Sequence, residues 1–305
     1  MRFEVEDFPR PDGTVLALRR HAAEGGTKGV VAVLHGMAEH SGRYARFAGA
    51  LAQSGYATLA HDHRGHGATR APGASLGHFG TGGLEGVLDD VEAVVAEARS
   101  AHPDVPVTLF GHSMGCILAL ASSVRRPGLS DRLALWNSGV ETGALAIVFG
   151  GILRVQQAFL GSDVPSDLAR KATFETWNRK FAPNRTEFDW LSRDTAEVDR
   201  YVADPLCGFP VSIGVWRAVL AAIRMGADDA RLDRLPKDLP VHLLAGNEDP
   251  CTESGEATAN LARRMEAAGM SDVTLIRLDG TRHESLNEVN REKTTARFIA
   301  WLDAH

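Results

Sequence analysis

The chain has 305 residues, of which 44% are hydrophobic and 24% charged. That is ordinary globular composition, and a chain this long buries a core without disulfide or metal staples. The net charge of −6 provides no basic footprint, which sets nucleic-acid binding aside. In chain order, Phe3 to Phe8 and Thr14 to His21 alternate as an opening hairpin, with Pro11-Asp12-Gly13 as the turn. Gly29 to Leu34 is a continuous apolar run, as expected of a strand buried on both faces. Ser41 to Ser54 reads as a helix stopped by Gly55, followed by a strand from Tyr56 to Ala60. Leu84 to Ser100 carries apolar residues at helical spacing. A strand at Val107 to Phe110, a helix at Met114 to Val124 and a strand at Leu133 to Trp136 come next.

The rhythm then breaks. From about 140 to 227 helical patterning replaces the strand–helix alternation, and ten of the chain's 20 aromatics fall there. Alternation resumes with a strand at Val241 to Ala245, a helix at Ser254 to Ala268, a strand at Val273 to Leu278 and a final helix from about Leu286 to Leu302. Strands alternating with helices predict a mostly parallel sheet. The expected organisation is an α/β core formed by residues 1–139 and 228–305, interrupted by a helical cap at 140–227.

Cys116, Cys207 and Cys251 are widely spaced and odd in number, which fits a reducing cytoplasm better than a disulfide framework. The charged, alternating Met1 to Asp7 does not read as a signal peptide. The longest apolar run, Ala144 to Leu153, is shorter than the ~20 residues a membrane span needs. It reads as a helix packed on the cap or core, or as a lid edge that meets a greasy substrate or a bilayer.

Gly111-His112-Ser113-Met114-Gly115 matches G-x-S-x-G, with an apolar strand entering and an apolar helix leaving. Such a bend strains the serine backbone, and a Cβ at either glycine would strike neighbouring backbone. The strain exposes the Ser113 hydroxyl and presents the Met114 amide, at a helix N-terminus, as an oxyanion donor. A serine hydroxyl needs a base to take its proton, and after such an elbow the acid and base follow in chain order. His283 lies beyond the strand ending at Leu278; Asp249, with Glu248 beside it, lies beyond the strand ending at Ala245. Open α/β sheets place their sites at these strand ends. The second oxyanion donor is expected in His35-Gly36-Met37-Ala38-Glu39-His40, at the Met37 amide.

His61-Asp62-His63-Arg64-Gly65-His66 is a near miss to a metallo-β-lactamase-type metal motif, with glycine where an acid is needed, and reads as a structural loop. Gly80 to Gly86 lacks phosphate-loop spacing and reads as a helix start. Cys251, two residues from Asp249, reads as buried filler.

Taken together, several segments resemble the monoacylglycerol lipase and lysophospholipase branch of the α/β-hydrolases, the serine aminopeptidase S33 or "hydrolase 4" group. They are His35 to Tyr44, Asp62 to Gly67, Gly111 to Gly115, Ala203-Asp204-Pro205-Leu206-Cys207, Gly246 to Asp249 and His283 to Glu288. The resemblance implies an eight-stranded sheet with a helical cap inserted after the sixth strand. It implies a triad of Ser113, Asp249 and His283, favours Asp249 over Glu248, and places the oxyanion hole at the Met37 and Met114 amides. It implies glycerol monoesters, lysophospholipids and related carboxylic esters as substrates; the aromatic-rich cap suggests an apolar group on them, and no cofactor or metal is expected. Transient membrane contact through the cap is compatible with it. Trp136-Asn137-Ser138-Gly139 departs from the family's small apolar residues and proline at the end of the sixth strand, and the cap is the least matched part. Thioesterase, peptidase and carbon–carbon hydrolase chemistry share the triad, and a receptor can keep it without turnover. Dehalogenases and epoxide hydrolases need an aspartate where Ser113 stands.

Overall fold

A computed structural model describes residues 3–305. Of the segments read above, Met1, Arg2 and the side chains of Ala144 and Leu145 lie outside the described residues. The eight strands are β1 (Val5–Pro9), β2 (Val15–His21), β3 (Gly29–Leu34), β4 (Tyr56–His61), β5 (Val107–His112), β6 (Arg132–Trp136), β7 (Val241–Gly246) and β8 (Val273–Leu278). They form one sheet in the order β1-β2-β4-β3-β5-β6-β7-β8. β1 and β2 pair antiparallel, β2 meets β4 antiparallel, and every later pairing is parallel. β3 to β7 are buried along their whole length, which is why they read as continuous apolar runs rather than alternating ones.

Helices cover both faces. On one side α1 (Ala45–Gln53) and the last helix supply Phe47, Phe298 and Trp301 against Phe110 and Trp136. On the other, α2 (Gly83–Ala101) and α3 (Met114–Arg125) bury Leu88, Val91, Leu118 and Val124 against the sheet. Between β6 and β7 come α4 (Ala144–Leu160), α5 (Asp167–Arg170), a π turn (Lys171–Glu175), α6 (Thr176–Arg179), α7 (Thr195–Ala203), α8 (Ile213–Gly226) and α9 (Asp229–Leu232). Of these, α8 packs on α3, so its apolar face joins the main core. The chain closes with α10 (Glu256–Ala267) and α11 (Arg291–Ala304).

Two elements differ from the sequence reading. Residues Ser41–Tyr44 form a 3-10 turn before α1, capped by the His40 side chain accepting from the Gly42 N–H. The last helix starts at Arg291 rather than near Leu286, because residues 284–290 are committed to the site: Glu284, Ser285 and Glu288 are all buried and bonded there.

Candidate active site

Ser113 sits between β5 and α3 at φ +54°, ψ −119°, a strained conformation for a residue with a Cβ. The glycines on either side make the bend possible. A Cβ on Gly111 would come 2.2 Å from the Gly115 carbonyl oxygen, and one on Gly115 would come 2.1 Å from that of Leu34. Met114 is the first residue of α3, where a helix supplies no partner for the amide N–H.

His283 Nε2 lies 2.9 Å from Ser113 Oγ. Its Nδ1 lies 3.0 and 3.1 Å from the two oxygens of Asp249, which is fully buried. A proton held at Nδ1 by that carboxylate leaves Nε2 free to accept from the serine. The Asp249 carboxylate also accepts the Cys251 N–H at 2.9 Å and the Asn137 amide at 3.4 Å, and Ser285 donates to Asn137 Oδ1 at 2.9 Å. Glu248 stands outside this group, its side chain 45% exposed and 4.0 Å from Arg282. The residues predicted from the sequence therefore converge, with Asp249 rather than Glu248 at the histidine.

The loop after β3 lies across the serine. Met37 and Ser113 line the same recess. Ala38 sits at φ +53°, and its carbonyl accepts from the Gly208 N–H and the Tyr201 hydroxyl, each at 2.9 Å. Both donors come from the helical stretch between β6 and β7, which thereby helps to fix the loop. His35 serves the loop from behind: its Nε2 accepts the His63 N–H at 2.9 Å, which places its proton on Nδ1 toward the Gly36 carbonyl.

Sequence reasoning missed a buried ionic cluster behind this loop. Glu39 accepts from the Gly36 N–H at 2.5 Å, from Tyr44 at 2.9 Å and from Arg43 at 2.5 Å. Arg43 reaches Glu284, next to His283, at 2.6 Å through each of two nitrogens. His112 Nε2 donates to the His283 carbonyl at 3.2 Å, while its Nδ1 faces Glu39 at 3.4 Å. Burial alone would lower the His112 pKa, but Glu39, Glu284 and the His283 carbonyl outweigh it and raise it. Burial likewise opposes ionisation of Glu39, yet Arg43 and His112 hold its carboxyl well below the usual range. The matching charges at 39, 43 and 284 are visible in the sequence, but nothing there shows that they meet.

Asp62 uses one oxygen on Ser41, at 2.8 Å to N and 2.6 Å to Oγ, and the other on the Ala68 N–H at 2.8 Å. His61, His63 and His66 pack edge to face among themselves, so the segment tightens a strand end. Among the described residues, His40, Asp204 and Cys207 form the one trio of side chains close enough to share a metal ion, and His40 Nε2 is bonded to Asp204 at 3.0 Å.

Two recesses meet at Ser113. One runs past Met37, Phe174 and Trp190 to a rim carrying Asp167, Arg170, Glu175 and Glu187. The other is mostly apolar, lined by Ile117, Phe149, Ile152, Trp177, Val219 and Ile223, with Cys251 in its wall. Burial pushes the Cys251 thiol well above its ordinary pKa, and nearby Asp249 adds to that.

A mostly parallel eight-stranded sheet with a strained serine elbow, and a histidine–aspartate pair from the next strand ends, defines an α/β-hydrolase. The chain belongs to the family described as serine aminopeptidase, S33, which it matches over residues 25–290. It is 29% identical to the monoglyceride lipase of Homo sapiens over 290 residues, covering 91% of this chain and 84% of that protein. It is 27% identical to the monoacylglycerol lipase of Mycolicibacterium smegmatis over 279 residues, covering 91% and 89%. A thermostable carboxyl esterase from Bacillus coagulans, solved in complex with glycerol, shares the fold at a TM-score of 0.90 and 22% identity, covering 100% and 99% of the two chains.

Proposed function

We propose that this chain hydrolyses carboxylic esters of apolar acids, monoacylglycerol- or lysophospholipid-like, through an acyl-enzyme on Ser113. The observation that carries the reading is the 2.9 Å contact between Ser113 Oγ and His283 Nε2 at the junction of an apolar and a more polar recess. His283 takes the hydroxyl proton as Oγ attacks the ester carbonyl, and Asp249 orients the imidazole and stabilises its cation. The Met37 and Met114 amides receive the oxyanion, a contribution of about 3 kcal/mol per donor in comparable sites. The alcohol leaves with the proton from His283. Water, deprotonated by His283, then releases the acid. The acyl chain fits the apolar recess, and the head group fits the chamber with charged side chains at its rim.

In this reading residues 140–227 are the cap. The relatives named monoglyceride and monoacylglycerol lipase support the lipid-ester assignment. The cap edge at α4 exposes Ile147, Val148, Val155, Phe159 and Leu160, with Phe159 85% accessible, beside the apolar recess. That face suits transient contact with a lipid or micelle surface. Among the described residues no helix is long and apolar enough to cross a membrane.

The test is a chain-length series of monoacylglycerols and p-nitrophenyl esters, run with the wild type and with Ser113→Ala. Turnover should rise with acyl length and vanish in the variant. Retained turnover in Ser113→Ala refutes the assignment. Rapid labelling of Ser113 by a fluorophosphonate, with no turnover of any ester, favours a receptor on the same scaffold.

A further inference from the structure

Trp190, from the inserted segment between α6 and α7, lies on the ring of His283, with centroids 4.7 Å apart and planes inclined at 38°. Its indole is 4% exposed and is itself held by Phe174, at 5.5 Å and 17°, and by Trp177, at 5.0 Å. The backbone around it is laced to the loop that carries the histidine. The His283 N–H donates to the Trp190 carbonyl at 3.4 Å, and the Glu284 N–H to that of Leu191 at 2.7 Å. The Arg282 guanidinium donates to the Asp189 carbonyl at 2.6 Å, and Ser192 Oγ to that of Asn287 at 2.9 Å. The buried Glu288 carboxylate joins both sides, accepting from the Arg193 and Arg282 N–H groups at 3.0 Å each.

An aromatic face attracts a cation within ~6 Å of its centroid, and the attraction grows when the pair is shielded from water. His283 is 2% exposed, and the mechanism proposed above makes it a cation during each half-reaction. We propose that Trp190 is a positioning residue for the base: it sets the imidazole's orientation and favours its protonated state at the moment of proton transfer. The inference rests on the triad reading of Ser113, Asp249 and His283. Other groups act on the same ring. Asp249 faces Nδ1 and Ser113 faces Nε2, and the His112 ring lies 5.0 Å away with Glu39, Arg43 and Glu284 behind it. Trp177 stands at 6.5 Å, and the Arg282 guanidinium is turned away over Phe181 at 4.0 Å. Trp190 is the aromatic face nearest the ring, and it supplies no proton and no charge.

The test compares pH profiles of kcat/KM for wild type, Trp190→Phe and Trp190→Leu on one soluble ester. The acid limb of such a profile reports the base in the free enzyme. Leucine keeps the site dry but removes the aromatic face. Its acid limb should move about one pH unit lower, and its plateau kcat should fall about tenfold. Phenylalanine keeps a π face and should hold both close to wild type. If Trp190→Leu does not fold, Trp190→Met provides the non-aromatic comparison. An unmoved limb in the non-aromatic variant, or an equal movement in Trp190→Phe, overturns the proposal. Failure of the triad reading shows separately, as turnover retained in Ser113→Ala.

Discussion

Arg43 and Glu284 meet as a fork, two guanidinium nitrogens each 2.6 Å from one carboxylate oxygen, directly beside the residue that faces Ser113. The same guanidinium holds Glu39, whose other contacts set the loop after β3. One cation thus ties the loop carrying Met37 to the loop carrying His283. Removing it takes the shared cation from the buried carboxylates of Glu39 and Glu284, leaving only the His112 ring against Glu39. Breaking a buried pair from one side costs about 3–5 kcal/mol. Arg43→Met should lower unfolding free energy by that amount, measured by urea denaturation at neutral pH. Arg43→Lys keeps the charge but loses the fork, and should fall in between.

Asn137 occupies φ +54° at the end of β6 and stands between Asp249 and Ser285. Its amide nitrogen steadies the carboxylate that holds His283, and its carbonyl oxygen is taken by Ser285. Asn137→Leu removes both bonds in a buried place, and its hydrocarbon side chain has no polar atom to restore them. A lost buried hydrogen bond costs about 1–2 kcal/mol, so kcat should fall about tenfold with KM nearly unchanged. Steady-state kinetics on a soluble ester decide this. A change confined to KM would place Asn137 in substrate binding instead.

The fold was readable from the sequence because its strands are buried on both faces. Val30 to Leu34 and Val107 to Phe110 have no polar alternation to confuse them with surface hairpins, and the helices between them keep a clean apolar stripe. Ser113 was readable because Gly111 and Gly115 are demanded by backbone contacts within a few residues. Trp190, Asn137 and Arg43 were not. Each acts across more than 100 residues of chain or on a partner whose position is set by the sheet order, and no local spacing encodes that. The start of α11 was misread for a related reason. Glu284, Ser285 and Glu288 make tertiary hydrogen bonds in place of a first helical turn.

Gly115 tests how tightly the elbow is built. A Cβ there would lie 2.1 Å from the Leu34 carbonyl oxygen and 2.7 Å from that of His35, and both belong to the segment that leads to Met37. Relief requires α3 to move away from β3, which would carry the Met114 amide with it. Gly115→Ala should lose about 3 kcal/mol of stability or more. Whatever remains folded should also lose kcat if the Met37 and Met114 amides receive the oxyanion as proposed, because the two would separate. Thermal unfolding followed by circular dichroism, together with kcat of the folded fraction, reads both effects.

Acid should weaken the fold through its buried histidines before it reaches the carboxylates. Burial lowers the pKa of His61 to about 4 and that of His242 to about 3. His35, His63 and His66 are pushed down in the same way. The Trp136 indole N–H donates to His242 Nδ1 at 3.0 Å, which keeps that ring neutral. Once the pH drops below about 6.5 the unfolded chain takes up protons that the folded chain refuses, so stability declines until the folded pKa is reached. At pH 5 His61 and His242 each cost about 2 kcal/mol. His112, whose pKa is raised, does not offset this, since its contribution is already complete below 6.5. The depressed carboxyl of Glu39 adds its own loss only below about 4.5. His61→Leu isolates the effect, because neither ring nitrogen of His61 has a hydrogen-bond partner among the described residues. Between pH 6.5 and 4.5 the slope of unfolding free energy against pH should be shallower than wild type by about 1 kcal/mol per unit, most of one proton's worth. An unchanged slope would mean that His61 is protonated in the folded state and that the destabilisation by acid arises elsewhere.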